Sequence, residues 1–241
     1  PTKDIEDFKK LFSDPSFCPD ELKIYPCSLI SNTELYELYK NKKWKPYTEK
    51  QLINVLAKCF EITPRYCRLS RVVRDISSGD IVAGNKKSNF RQIVDDFLKS
   101  KNIKVSEIRS REIKNEKVLY SELELKITVY ETTNSKEYFL EYVNKEDKIV
   151  GFLRLSLSTK ENNIKELRDS AIIREVHVYG ESLNLGETDM GKPQHLGIGS
   201  NLIKKAESVA LEYGFKKISV ISSIGTREYY SKRGYILNKF Y

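Results

Sequence analysis

No run of about 18 uninterrupted apolar residues occurs in the chain, so no segment reads as a membrane-spanning helix. The opening PTKDIEDFKKLF has neither the apolar core of a signal peptide nor an initiator methionine, which leads to the expectation of a cytoplasmic chain that is part of a longer one. Cysteine is sparse: Cys18, Cys27, Cys59 and Cys67 show no C-x-x-C spacing, which excludes the usual zinc and redox motifs and predicts buried free thiols. Histidine is limited to His177 and His195, so no metal site is expected. Repeats and low-complexity segments are absent. What the 241 residues do contain is 39% hydrophobic side chains, enough for one large soluble domain or two ordinary ones.

The net charge is +8, and its distribution says more than its sum. Residues 1 to 110 hold 21 basic and 15 acidic side chains, so most of the excess lies in the first half. There Arg65, Arg68, Arg71, Arg74, Lys86, Lys87 and Arg91 are opposed by only Asp75 and Asp80. Such a set offers a foothold for a polyanion such as nucleic acid, or forms a solvated basic face.

Helical and extended patterns alternate over the first 100 residues. DIEDFKKLF reads as a helix, ELKIYPCSLI as a strand interrupted by Pro26, and SNTELYELYK as a helix capped by Thr33. Thr48 and Gln51 form a capping box before Leu52, Val55, Leu56 and Cys59, and Pro64 ends that helix. CRLSRVVRDI predicts a strand and SNFRQIVDDFLKSK a helix capped by Ser88 or Asn89. Residues 101–116 are charged and weakly patterned, as a connector would be. From 117 onward, LELKITVYET, EYFLEYVN and IVGFLRLSLS predict an antiparallel meander, and AIIREVHVYG a fourth strand. A polar loop, a helix from Ser200 to Tyr213 ended by Gly214, a strand in FKKISVISS, a short helix in TREYYSKR and a closing strand in GYILNKFY complete the pattern.

The loop KPQHLGIGS runs straight into a helix. It is no dinucleotide fingerprint, because Leu202 stands where a third glycine belongs, and no P-loop, because Pro193 follows Lys192. The first amides of a helix have no internal partner and attract anions, and glycines at 197 and 199 clear the approach. A turn that merely contains glycine is the alternative.

Gln194, Gly197 and Gly199 match the Q/R-x-x-G-x-G/A signature of GNAT acetyltransferases. AIIREVHVYG, AESVA and SSIGTREYYSKRGY resemble more specifically the acetyltransferase domain of the catalytic subunit of Elongator, the family that modifies the wobble uridine of tRNA. DPSFCPDELKIYP, TELYELYKNKKWKPYTEKQL, RLSRVVRDI and IVAGNKKSNFRQIV are similar to the second half of that family's radical SAM domain. The resemblance implies an α/β chain: residues 1–100 as the C-terminal part of a partial barrel, a connector over 101–116, and a GNAT domain over 117–241 with a central mixed sheet. It implies acetyl-CoA between the fourth and fifth strands of that sheet, contacted by Glu175, Val176, His177, Val178, Gln194, His195, Leu196, Gly197, Ile198, Gly199, Ser200 and Tyr230. Glu175 and His177 are candidates to activate water or position substrate, and Tyr230, or its neighbour Tyr229, to protonate the departing thiolate.

In the family, a 5′-deoxyadenosyl radical activates the acetyl group, giving 5-carboxymethyluridine in tRNA. S-adenosylmethionine and a 4Fe-4S cluster belong to the intact enzyme; the cluster cysteines are missing here. Val105, Glu107 and Ser110 stand where many members carry a zinc motif, so no zinc is expected. The resemblance implies that this chain binds acetyl-CoA and a tRNA anticodon stem-loop without completing the modification, and that it associates with other Elongator subunits or with itself. A lysine N-acetyltransferase, disfavoured by the basic front half, and a noncatalytic RNA-binding module remain as alternatives.

Overall fold

The Thr48 hydroxyl accepts from the Gln51 amide while the Gln51 side chain accepts from the Thr48 amide, so both ends of the predicted capping box are made. The helix it starts, α3 (Glu49–Ile62), buries Leu52, Val55, Leu56, Cys59 and Phe60. These relations come from a computed structural model, which describes residues 1–114, 116, 118–161, 163–179 and 197–238. The chain divides into two units, Pro1–Ser110 and Arg111–Tyr241. The expected connector is thus shared between them.

In the first unit, α1 (Thr2–Ser13), α3 and α4 (Phe90–Ser100) build a core around Phe8, Phe60, Phe90 and Val94. α2 (Glu34–Lys40) is capped by Thr33, which accepts from Tyr36. Strand β1 (Glu21–Lys23) pairs in parallel with β3 (Arg68–Arg71), and β2 (Leu29–Ile30) pairs antiparallel with β4 (Ile81–Ala83). The strand expected over CRLSRVVRDI stops at Arg71. Its partner reaches no farther than the Ile24 amide on the Arg71 carbonyl, and Pro26 follows, with no amide to extend a ladder. The short helix α5 (Ile108–Arg111) closes this stretch.

In the second unit, β5 (Glu124–Glu131), β6 (Ser135–Val143), β7 (Ile149–Ser158) and β8 (Ser170–Val178) form the expected meander. β9 (Lys217–Val220) adds in parallel beside β8, giving the mixed order β5-β6-β7-β8-β9. Helix α6 (Ile198–Glu212) lays Ile198, Leu202, Ile203, Ala206, Val209 and Ala210 on one face of that sheet. Burying each of its large side chains contributes about 1.5–3 kcal/mol. Gly214, at φ +82, ends the helix. The short helix α7 (Arg227–Ser231) follows β9. The closing strand expected in GYILNKFY is absent from its described part: Tyr235 to Asn238 are not in a strand, and Ile236 is 89% exposed. Alternation alone does not make a strand; an edge must be there to pair with.

Candidate functional site

The fork in the sheet originates at one residue of β8. Ile173 pairs with Leu155 and Glu175 with Arg154, so Arg174 is an extra residue, a β-bulge. Before it Ala171 and Ile173 point into the α6 side of the core; after it Val176 and Val178 do. β8 follows β9 only as far as Ile173, with a last bond from the Ile221 amide. From Arg174 to Val178, β8 runs on and β9 does not. The strands part where the backbone of Glu175 to Val178 was expected to meet a ligand.

The start of α6 is fixed against this fork. Ile198 is fully buried, and a Cβ on Gly151 would sit 3.1 Å from its Cγ2 and 3.0 Å from the His177 carbonyl, so a side chain at 151 would crowd the helix start and β8. Gly197, the N-cap, is left-handed at φ +69 and has no side chain to cap the first turn. No acidic residue lies in that turn. Gly197, Ile198, Gly199 and Ser200 therefore form the positive end of a helix directed to the fork. Gln194, His195 and Leu196 lie outside the described residues.

Helix α7 and the turn after it bring three side chains here, one of which the sequence reading missed. The Tyr229 hydroxyl reaches the first turn of α6: a Cβ at Gly199 would lie 2.8 Å from it. Tyr230 instead packs between Tyr229 and Tyr235, with ring centroids 5.3 and 5.6 Å away. Burial raises the Tyr230 pKa above the usual phenol value, so it keeps its proton at neutral pH. Adjacent tyrosines thus face different surroundings. The missed residue is Arg233, whose guanidinium lies 3.4 Å from the Tyr229 ring centroid and donates to the Ser200 hydroxyl at 2.6 Å. Its signal was available: four residues after Tyr229, it returns to the same helical face.

On the other face of the sheet, Glu175 accepts from Arg154 at 2.8 Å. Arg154 is buried, its guanidinium 5.1 and 5.2 Å from the ring centroids of Phe139 and Phe152, which pack side by side. His177 stacks on Phe152 and meets Tyr179 at a centroid separation of 4.4 Å. Glu175 and His177 share a face as the strand period predicts, with the carboxylate already held by a buried cation.

The basic set of the first unit is divided by its partners. Arg65 and Arg68 are half-buried; Arg71 pairs with Asp75, and Lys87 with Glu49 at 2.7 Å. Arg91 is turned inward. It donates to Glu107 at 2.7 Å, to the Leu69 carbonyl and to the Ser110 hydroxyl, and lies over the Phe60 ring. Glu107 has no exposure and also accepts from the amides of Leu69, Arg109 and Ser110. Arg74 and Lys86 remain exposed, and both line a cavity of about 370 Å³ with Ser28, Asp75, Ser78, Asn85 and Ser88.

The donor groups at the fork fit a coenzyme that carries a diphosphate: a clear first turn, positive charge, and strand backbone beyond. An iron–sulfur cluster is not fitted. Cys18, Cys59 and Cys67 are buried, Cys27 is exposed, and among the described residues no three His, Cys, Asp or Glu side chains gather as a metal ion requires. Nor, among the described residues, is any helix long and apolar enough to cross a membrane.

Two family models match the chain: the Radical_SAM C-terminal domain over residues 19–100 and the acetyltransferase (GNAT) family over residues 105–235. The tRNA uridine(34) acetyltransferase of Methanocaldococcus infernus is 39% identical over 240 residues, covering 95% of this chain and 44% of that protein. Elongator complex protein 3 of Homo sapiens is 37% identical over 242 residues, covering 98% of this chain and 44% of its own length. The chain thus spans less than half the length of these relatives. The solved structure of the archaeal M. infernus Elp3 with residues 1–46 deleted superposes with a TM-score of 0.86 at 37% identity, over 98% of this chain and 57% of that one. With the forked mixed sheet and the glycine-led helix in place, the chain belongs to the acetyltransferase (GNAT) family, carried behind a radical SAM C-terminal domain.

Proposed function

We propose that this chain is the acetyl-CoA-binding and tRNA-binding portion of an enzyme that modifies the wobble uridine of tRNA. The observation that carries the reading is the parting of β8 and β9 beyond Ile173, beside the glycine-led first turn of α6. In this reading the amides of Ile198, Gly199 and Ser200 receive the diphosphate, and the backbone of Glu175 to Val178 receives the pantetheine arm. Gln194, His195 and Leu196 complete the loop ahead of the helix. Tyr230 is the proton donor to the departing thiolate, and Glu175 with His177 positions the acceptor.

Arg74 and Lys86, backed by Arg65, Arg68, Arg71 and Lys87, hold the phosphates of an anticodon stem-loop, and binding weakens steeply with salt. The names of the relatives support tRNA as substrate and association with other Elongator subunits. The radical step needs S-adenosylmethionine and a cluster, for which this chain has no cysteine set, so it is left to the remainder of a longer enzyme.

The test is calorimetric titration with desulfo-CoA, with and without an anticodon stem-loop RNA. Wild type binds both, and Gly197→Glu, which sets a carboxylate at the helix start, loses the coenzyme analogue and keeps the RNA. Equal binding of desulfo-CoA by wild type and Gly197→Glu overturns the placement. Turnover with a basic peptide in preference to tRNA would move the reading to a lysine acetyltransferase.

A further inference from the structure

We infer that Arg233, which donates to the Ser200 hydroxyl at the start of α6, is the cation that pairs with the diphosphate of the coenzyme. The inference builds on the coenzyme reading above and adds a residue to it. Three observations carry it.

The first is an electrostatic mismatch. A guanidinium sits 2.6 Å from a hydroxyl in the first turn of α6, at the positive end of the helix, with no acidic residue in that turn. Cations are disfavoured there unless an anion joins them.

The second is that no counter-charge faces it among the described residues. Arg233 donates to the Ser200 hydroxyl and the Tyr229 carbonyl and lies over the Tyr229 ring, all uncharged, while the adjacent carboxylate, Glu228, is paired with Lys232 at 2.7 Å. A guanidinium has five N–H donors in a planar fork that suits two phosphate oxygens, so donors remain for a ligand.

The third is mobility by construction. Arg233 is exposed, just beyond the end of α7, and a change of side-chain rotamer releases Ser200 without moving the backbone. The Tyr229 hydroxyl occupies the space over Gly199 and its ring carries the guanidinium, so the two side chains shift together when an anion reaches the amides.

The experiment measures binding of acetyl-CoA, acetyl-dephospho-CoA and S-acetylpantetheine to the full chain and to Arg233→Gln, with circular dichroism melts of both. The glutamine variant weakens the two diphosphate ligands by about 10- to 100-fold and leaves S-acetylpantetheine unchanged. Unchanged affinity for acetyl-CoA overturns the inference. So does a loss confined to acetyl-CoA, which would assign Arg233 to the 3′-phosphate, and so does an equal loss for all three ligands, which would make its role structural. Should Arg233→Gln fail to fold, Arg233→Lys carries the test: it weakens the diphosphate ligands several-fold and spares S-acetylpantetheine, and equal binding overturns the inference. Wild-type chain that takes none of the three ligands removes the coenzyme reading itself, whereas wild-type binding matched by the variants removes only the role of Arg233.

Discussion

Arg91 in the first unit and Arg233 in the second are built alike up to one difference. Each guanidinium lies over an aromatic ring, Phe60 or Tyr229, and each donates to a serine hydroxyl, Ser110 or Ser200. Arg91 also has Glu107 at 2.7 Å and Asp95 at 3.6 Å; Arg233 has no carboxylate among the described residues. A compensated charge with a buried partner is part of the scaffold. A charge held only by neutral groups, exposed and beside a helix start, is available to a ligand. Counting cations along the sequence does not separate the two cases, because the difference lies in what faces them.

The largest effect comes from removing the acceptor on the compensated side. Glu107→Ala leaves Arg91 and three backbone amides without their carboxylate and destabilises the first unit by about 3–5 kcal/mol. Trp44 is the only tryptophan and lies in that unit, so its fluorescence melt reports the change directly. An unchanged melt would show that Arg91 and Arg233 do not differ in kind.

In the second unit the comparable acceptor is Glu137, which is nearly buried and takes hydrogen bonds from Ser135, Ser156 and the bulged Arg174. Glu137→Ala costs about 2 kcal/mol, less than at Glu107 because the Arg174 side chain keeps 28% exposure. Urea unfolding followed by far-ultraviolet circular dichroism measures it. Thr48→Ala removes the cap of α3 and lowers the first unit's stability by about 1 kcal/mol, again read at Trp44.

The effect that starts smallest is the response to alkali, which grows with pH. Burial pushes the Cys59 thiol from 9.0 up to about 12 and the Tyr142 phenol from 10.0 up to about 12. Both groups keep their protons longer when folded, so the unfolded chain ionises first and stability falls as pH rises through the unfolded values. The first unit begins to weaken above about pH 9 and the second above about pH 10. Trp44 fluorescence that fails no earlier than the overall circular dichroism signal would contradict this order.

Much of the fold was legible in the sequence. The Thr48 capping box, the buried stripe of α3, the alternation of β5 to β8 and the glycine after α6 are carried by residues within a few positions of each other. The strand expected to close the chain at GYILNKFY was read from the same alternation, which is silent on whether an edge is available. At the candidate site the glycines and the tyrosine pair were legible from their motif. Three features were not: Arg174 as a bulge, Arg91 turned inward and Arg233 on Ser200.

By itself, then, the sequence determined most of the local elements and the family resemblance, because capping, periodicity and glycine geometry act over a few residues of chain. Only the tertiary structure decided which charges are compensated. Glu107 meets Arg91 across 16 positions and Arg233 meets Ser200 across 33, and such meetings depend on how separate elements pack, which no local pattern encodes.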